Sequence, residues 1–201
     1  MSDPVLTSID LALEHPAVGR ARRIVFDDDA RTLRDQVELT EIPAPPFGEG
    51  PRGARMAELF AEAGLEEVRH DHVGNVLADL EDGTDEGLVV LSAHLDTIFP
   101  EGTEVRVRRE DGRLVGPGVS DDGRGLAVLL AVARTLRRAE VPLAGPVRFV
   151  ATVGEEGAGD LRGVKHLFGE EGAARRARGF ISLDGAGISR IVTRGLGVRR
   201  L

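Results

Sequence analysis

Three runs in this sequence, residues 87–93, 147–153 and 179–183, are apolar with almost no polar alternation, and each gives way at once to an acid or a histidine. A short run of that kind reads as a strand covered on both faces, which is the habit of parallel sheets sandwiched between helices. Helical spacing fills the intervals: Met56, Leu59, Phe60 and Ala63 form one apolar stripe, and Leu126, Leu129, Leu130, Ala133 and Leu136 form another. Strands alternating with helices imply an α/β fold, a mixed and mainly parallel sheet flanked by helices.

The remaining segments follow local rules. Residues 5–40 read as mostly helical, with Asp27-Asp28-Asp29 as a cap cluster and a stop before Pro43 and Pro45. A Pro/Gly-rich loop at 43–53 leads to a helix at 54–63 with Gly64 as its C-cap. Residues 68–73 and 76–80 suggest a hairpin closed by the two-residue turn Gly74-Asn75, and residues 104–115 a second one around Asp111-Gly112. Helices are expected at 124–138 and around 161–177. No internal repeat or low-complexity segment interrupts the series.

Composition narrows the chemistry. A formal charge of -8 across 201 residues argues against nucleic-acid binding, because phosphate neutralisation needs a basic patch. The cluster Arg175-Arg176-Arg178 reads as a solvated helix end. No apolar run is long enough to span a bilayer, and the first residues lack a secretory pattern, so no membrane association and a cytoplasmic location are expected. The chain contains no cysteine, which excludes disulfides and thiolate metal sites and leaves His, Asp and Glu as metal ligands.

Functional groups of open α/β sheets gather beyond the carboxyl ends of the strands. His94, Asp96, Glu155, Glu156 and Asp184 should therefore converge, joined by Asp121 at the start of a helix. Five carboxylates around one imidazole repel one another unless a cation intervenes, and these motifs offer only Arg124. A divalent metal is the economical cation, and imidazole with carboxylates suits Zn²⁺, Mn²⁺ or Co²⁺. In His94-Leu95-Asp96 the first and third side chains of an extended segment share a face, so Asp96 can orient the imidazole. Of Glu155 and Glu156, one can bind metal while the other serves as a general base.

An isolated His-x-Asp or Glu-Glu is commonplace; the ordered set is what carries the inference. His70 and His72 read as a solvated sheet face and His166 as an ordinary helix residue. The loop at 116–125 lacks the Lys-Ser/Thr ending of a phosphate cradle and puts Asp121 and Asp122 where phosphate would sit.

The sequence resembles the dizinc exopeptidases and deacylases that include glutamate carboxypeptidase, peptidase T, acetylornithine deacetylase and succinyl-diaminopimelate desuccinylase. The likeness runs from Leu33 nearly to the end. It rests on Leu39-Thr40-Glu41-Ile42-Pro43-Ala44-Pro45, Asp71 with Gly74-Asn75-Val76, His94-Leu95-Asp96-Thr97, Gly116-Pro117-Gly118-Val119-Ser120-Asp121-Asp122, Gly154-Glu155-Glu156-Gly157 and Leu183-Asp184-Gly185. The resemblance implies two divalent ions, zinc first and cobalt or manganese next. His94 and Asp184 would ligate one, Glu156 the other, and Asp121 both. It further implies that Asp96 orients His94, that Glu155 is the general base for the attacking water, and that the Asp121-Asp122 peptide is cis. The implied reaction is hydrolysis of an amide bond in a small peptide or N-acyl amino acid.

Such proteins carry a further His ligand late in a chain about twice as long, and a lid or dimerisation domain inserted after the strand matching 181–184. Residues 1–193 are thus expected to be the N-terminal part of a catalytic domain, and 194–201 the start of a connection into that lid, through which a homodimer could form. The alternatives are an inactive fragment or metal-binding remnant of such an enzyme, a related zinc aminopeptidase, and, on the α/β pattern alone, a nucleotide-binding module.

Overall fold

A computed structural model of the chain describes residues 4–80 and 87–185. Its order is α1 (Pro4–Glu14), α2 (Pro16–Asp27), α3 (Asp29–Thr40), α4 (Gly50–Glu62), β1 (Glu66–His70), β2 (Val76–Asp79), β3 (Val89–His94), β4 (Arg108–Glu110), β5 (Arg113–Val115), α5 (Gly123–Arg138), β6 (Val147–Thr152), a short 3-10 turn, α6 (Arg162–Phe168) and β7 (Gly179–Ser182). The expected connection at 194–201 lies outside the described residues.

The main sheet has the order β1-β2-β6-β3-β7, with β6, β3 and β7 mutually parallel and β1 and β2 antiparallel additions at one edge. This is the mixed α/β sheet read from the apolar runs. The period of two divides the side chains between two cores. Val76, Ala78, Ala93, Phe149 and Ala151 face α3, α4 and α5, where they meet Leu39, Met56, Phe60, Leu126 and Leu130. Leu77, Val90 and Val150 face the other way onto Leu167 of α6 and Ala174. Ion pairs add links within each layer: Arg134 of α5 donates to Asp35 of α3 at 2.6 Å, and Arg148 of β6 forks onto Asp79, its partner on β2, at 2.7 and 3.0 Å.

Several elements depart from local expectation. The first forty residues break into three helices, because Pro16 starts a new one with His15 as its cap, the ring Nδ1 accepting from the Ala17 N–H at 3.2 Å. Asp28 at the head of α3 makes no side-chain cap; its carboxylate pairs instead with Arg138. α4 begins four residues earlier than its apolar stripe suggests, with Pro51 in its first turn. The first hairpin is not closed by a two-residue turn. Asp71 Oδ1 accepts from the N–H groups of Val73, Gly74 and Asn75 at 3.0, 3.0 and 2.9 Å, making a five-residue loop in which Gly74 holds φ 100°. The hairpin at Asp111-Gly112 forms as expected, as β4 and β5. The helix expected to reach residue 177 ends at Phe168, since a side chain at Gly172 would lie 2.2 Å from the Leu167 carbonyl where the chain doubles back. The Arg175-Arg176-Arg178 cluster is therefore exposed but sits on turns and not at a helix end.

Candidate metal centre

Parallel pairing puts the carboxyl ends of β6, β3 and the edge strand β7 on one side of the sheet. His94 stands opposite Thr152, and Ser92 opposite Ser182, so the next residues along each chain enter a common space. Leu95 N–H donates to the Thr152 carbonyl and Leu183 N–H to the Ser92 carbonyl, both at 2.7 Å, extending the ladder past the regular strands. There the structure gathers the groups singled out from the sequence. His94 Nε2 lies 2.9 Å from Asp121 Oδ1 and 3.8 Å from Asp184 Oδ1. Two sets of ligand atoms fall within 4.8 Å of one another, His94 with Asp121 and Glu156, and His94 with Asp122 and Asp184.

Asp96 is fully buried and braces the edge from beneath. Its two oxygens accept from the N–H groups of Glu155 and Glu156 at 2.9 and 2.8 Å, and Oδ1 stands 3.6 Å from His94 Nδ1. One carboxylate thus touches the imidazole and the backbone of the Glu-Glu motif at once. Asp122, 1% exposed, does similar work on the other side: Oδ2 accepts from His94 N–H at 2.8 Å and Oδ1 from Gly125 N–H at 3.0 Å, capping α5. The Asp121-Asp122 peptide is cis, and the two neighbouring carboxylates have different partners, Asp121 the His94 imidazole and Asp122 the backbone. With Gly125 N–H already satisfied, the head of α5 is occupied by a carboxylate where a phosphate cradle would need free donors.

The electrostatics follow from this crowding. Burial works to lower the His94 pKa, but Asp96, Asp122 and Asp184 more than reverse it and raise it to about 10. Burial pushes Asp122 up to about 7 against the pull of His94. Glu155 is raised by burial and by Asp184, Glu156 and Asp96, and Glu156 by burial and by Asp121, Asp96 and Asp184. Asp96 is lowered although burial opposes it, because His94 and the two N–H groups favour its charged form. Carboxylates crowded around one imidazole call for a cation among them, and the buried His94 Nδ1 lacks a hydrogen-bond partner. Imidazole and carboxylate oxygens converging within 4.8 Å are a donor set that fits such an ion.

Three residues belong to this picture without having been anticipated. Asp122 is one. Asn75, fully buried, donates to Asp71 Oδ2 at 2.7 Å and to the Gly163 carbonyl at 3.0 Å, and accepts from Val153 N–H at 3.0 Å just before the Glu-Glu motif. Arg52, fully buried at the start of α4, is the cation of this region. Arg124 is exposed and donates to Gln36 Oε1 at 3.3 Å. Asp122 and Asn75 stand in motifs that carry the resemblance but were given no role there, and no spacing marks Arg52. His70 ends β1 and His72 follows in the loop, so they do not share a strand face. The His72 ring sits edge-on to His166 of α6, 6.4 Å away.

The model of peptidase family M28 matches residues 75–193. Among solved structures, aminopeptidase PepT of Bacillus cereus is 25% identical with a TM-score of 0.60 over 79% of this chain. A tripeptidase of Staphylococcus aureus is 26% identical with a TM-score of 0.59 over the same share. Human carnosine dipeptidase 1 shares the fold, with a TM-score of 0.67 at 15% identity over 85% of this chain and 42% of its own. The chain spans 44% of the length of each of the first two. No curated protein matches the sequence.

Proposed function

Because the chain belongs to peptidase family M28, we propose that it forms the metal-binding part of a metallopeptidase that hydrolyses small peptides. The observation that carries the reading is the pair of ligand sets sharing His94 at the ends of adjacent parallel strands. His94, Asp121, Glu156 and Asp184 would hold two divalent ions, zinc being the best fit to imidazole and carboxylate. Bound there, the ions would lower the pKa of the attacking water and polarise the scissile carbonyl. Glu155, raised above the ordinary carboxylate range, is suited to take the proton from that water and return it to the leaving amine. Asp96, which accepts from the Glu155 and Glu156 N–H groups and stands 3.6 Å from His94 Nδ1, would orient the imidazole against the Glu-Glu backbone. The peptidase names of the two structures at 25–26% identity favour free peptides over N-acyl amino acids as substrates. A late His ligand and a lid would belong to a longer protein containing this chain.

The test is metal content and peptide hydrolysis, measured on this chain and on any longer protein that contains it. Glu155→Gln should keep its zinc while turnover on a tripeptide falls by about 10²–10⁴-fold. Protein that binds no divalent ion, or that hydrolyses peptides equally well after exhaustive chelation, would sink the reading.

A further inference from the structure

Arg52 is buried to 0% exposure, and its hydrogen bonds go to backbone carbonyls. Nε and Nη2 donate to the Ile42 carbonyl at 2.9 and 2.7 Å, Nη2 also to the Thr40 carbonyl at 3.2 Å, and Nη1 to the Leu95 carbonyl at 2.7 Å. The Thr40 carbonyl is an orphan of the C-terminal end of α3, the Ile42 carbonyl lies two residues past that end, and the Leu95 carbonyl lies between His94 and Asp96. Arg52 also sits within electrostatic reach of Asp96 and Asp122, the two buried carboxylates under the centre. Burying a guanidinium is costly unless its hydrogen bonds and a counter-charge compensate, and here both are supplied by the frame of the proposed site.

Resting on the metallopeptidase reading, we infer that Arg52 is the positioning residue of the metal centre: it pins the Leu95 carbonyl, and with it the spacing of His94 and Asp96, and it balances the charge of Asp96 and Asp122. The start of α4, where Gly53 also lies against Leu95, thereby sets the geometry of the ligands. The Arg52 guanidinium is suited to this because a rigid planar fork presents its donors to three carbonyls in fixed directions, whereas an ammonium is a compact charge with three donors on one atom.

The experiment is titration of the metal-free chain with Co²⁺, followed by its visible absorption and by calorimetry, for wild type, Arg52→Met, Arg52→Lys and Leu88→Ala. Leu88 is buried at the opposite end of β3, so its truncation loosens the core without touching the centre. Arg52→Met should weaken Co²⁺ binding by about ten- to hundredfold and change the spectrum, as loss of a partner behind the ligands does. Arg52→Lys, which keeps charge but not the fork, should recover affinity only in part and remains informative if the Met variant does not fold. Leu88→Ala should bind as wild type does. Wild-type affinity and spectrum in either Arg52 variant would overturn the inference and leave the metallopeptidase reading standing, and so would an equal loss in Leu88→Ala. A wild-type chain that binds no Co²⁺ would overturn both.

Discussion

Replacing Asn75 should cost more than its size suggests, and the order of two substitutions should reveal why. Its amide is fully buried and makes three hydrogen bonds, from Val153 N–H and to Asp71 Oδ2 and Gly163 O. In Asn75→Ala the Val153 N–H is orphaned in a buried position, worth about 2 kcal/mol. The other two acceptors lose an ordinary bond each, and Asp71 still accepts from three N–H groups through Oδ1. The total should be about 3 kcal/mol, read as a shift in the urea midpoint at constant slope. Asn75→Asp preserves the acceptor for Val153 and changes volume hardly at all, yet sets an oxygen against Asp71 Oδ2, 2.7 Å from the atom it replaces. Near pH 7 it should therefore be less stable than Asn75→Ala, and it should recover as the pH is lowered and one of the two carboxyls takes a proton. An Asn75→Asp variant as stable as wild type at neutral pH would refute the claim that this amide, and not the shape of its cavity, holds the loop to the strand that carries the Glu-Glu motif.

The metal-free chain should lose stability as pH rises. His94 is raised to about 10, so its contribution is complete below about pH 6.5 and fades as the pH climbs through 10; Asp122, at about 7, acts in the same sense at lower pH. Urea midpoints should fall between about pH 6 and 9.5 and fall less in His94→Ala; a flat profile in wild type contradicts the assignment. Arg148→Leu leaves Asp79 buried with only the weaker Arg69 contact at 3.6 Å and should cost about 3–5 kcal/mol by thermal or urea unfolding, whereas the double change with Asp79→Leu should recover much of it.

What was legible in the sequence was whatever depended on neighbours along the chain. The apolar strands and the acids following them announce themselves because β3 and β6, buried inside the sheet, permit little polar alternation and because parallel strands end on one side; β7, read from the same kind of apolar run as covered on both faces, is instead the edge strand, with Phe180 39% and Ile181 52% exposed. That reasoning was enough to bring His94, Asp96, Asp121, Glu155, Glu156 and Asp184 to one edge. The unforeseen residues act across long separations. Arg52 reaches a carbonyl forty-three positions away, and Asn75 an N–H seventy-eight positions away. The backbone atoms they serve carry no sequence signal. Asp122 illustrates a different blindness: in a repeated pair the letters are the same, and the bonds it accepts from the His94 and Gly125 N–H groups, which carry no sequence signal, distinguish the inward carboxylate. The shortened α6 has a simpler cause, since Gly172 admits a backbone approach that helical periodicity does not report.

The place of β6 between β2 and β3 has a bearing on how the protein is made. β2 and β3 are neighbours in the chain but never pair; each waits for a strand that emerges some fifty to seventy residues later. A growing polypeptide that has completed His94 and Asp121 still lacks the bridge between them and the Glu-Glu motif, and closing it requires long loops, which makes the step slow. Metal would then bind the finished sheet and not the nascent chain, adding to its stability by mass action and leaving the unfilled sheet the more exposed to proteolysis.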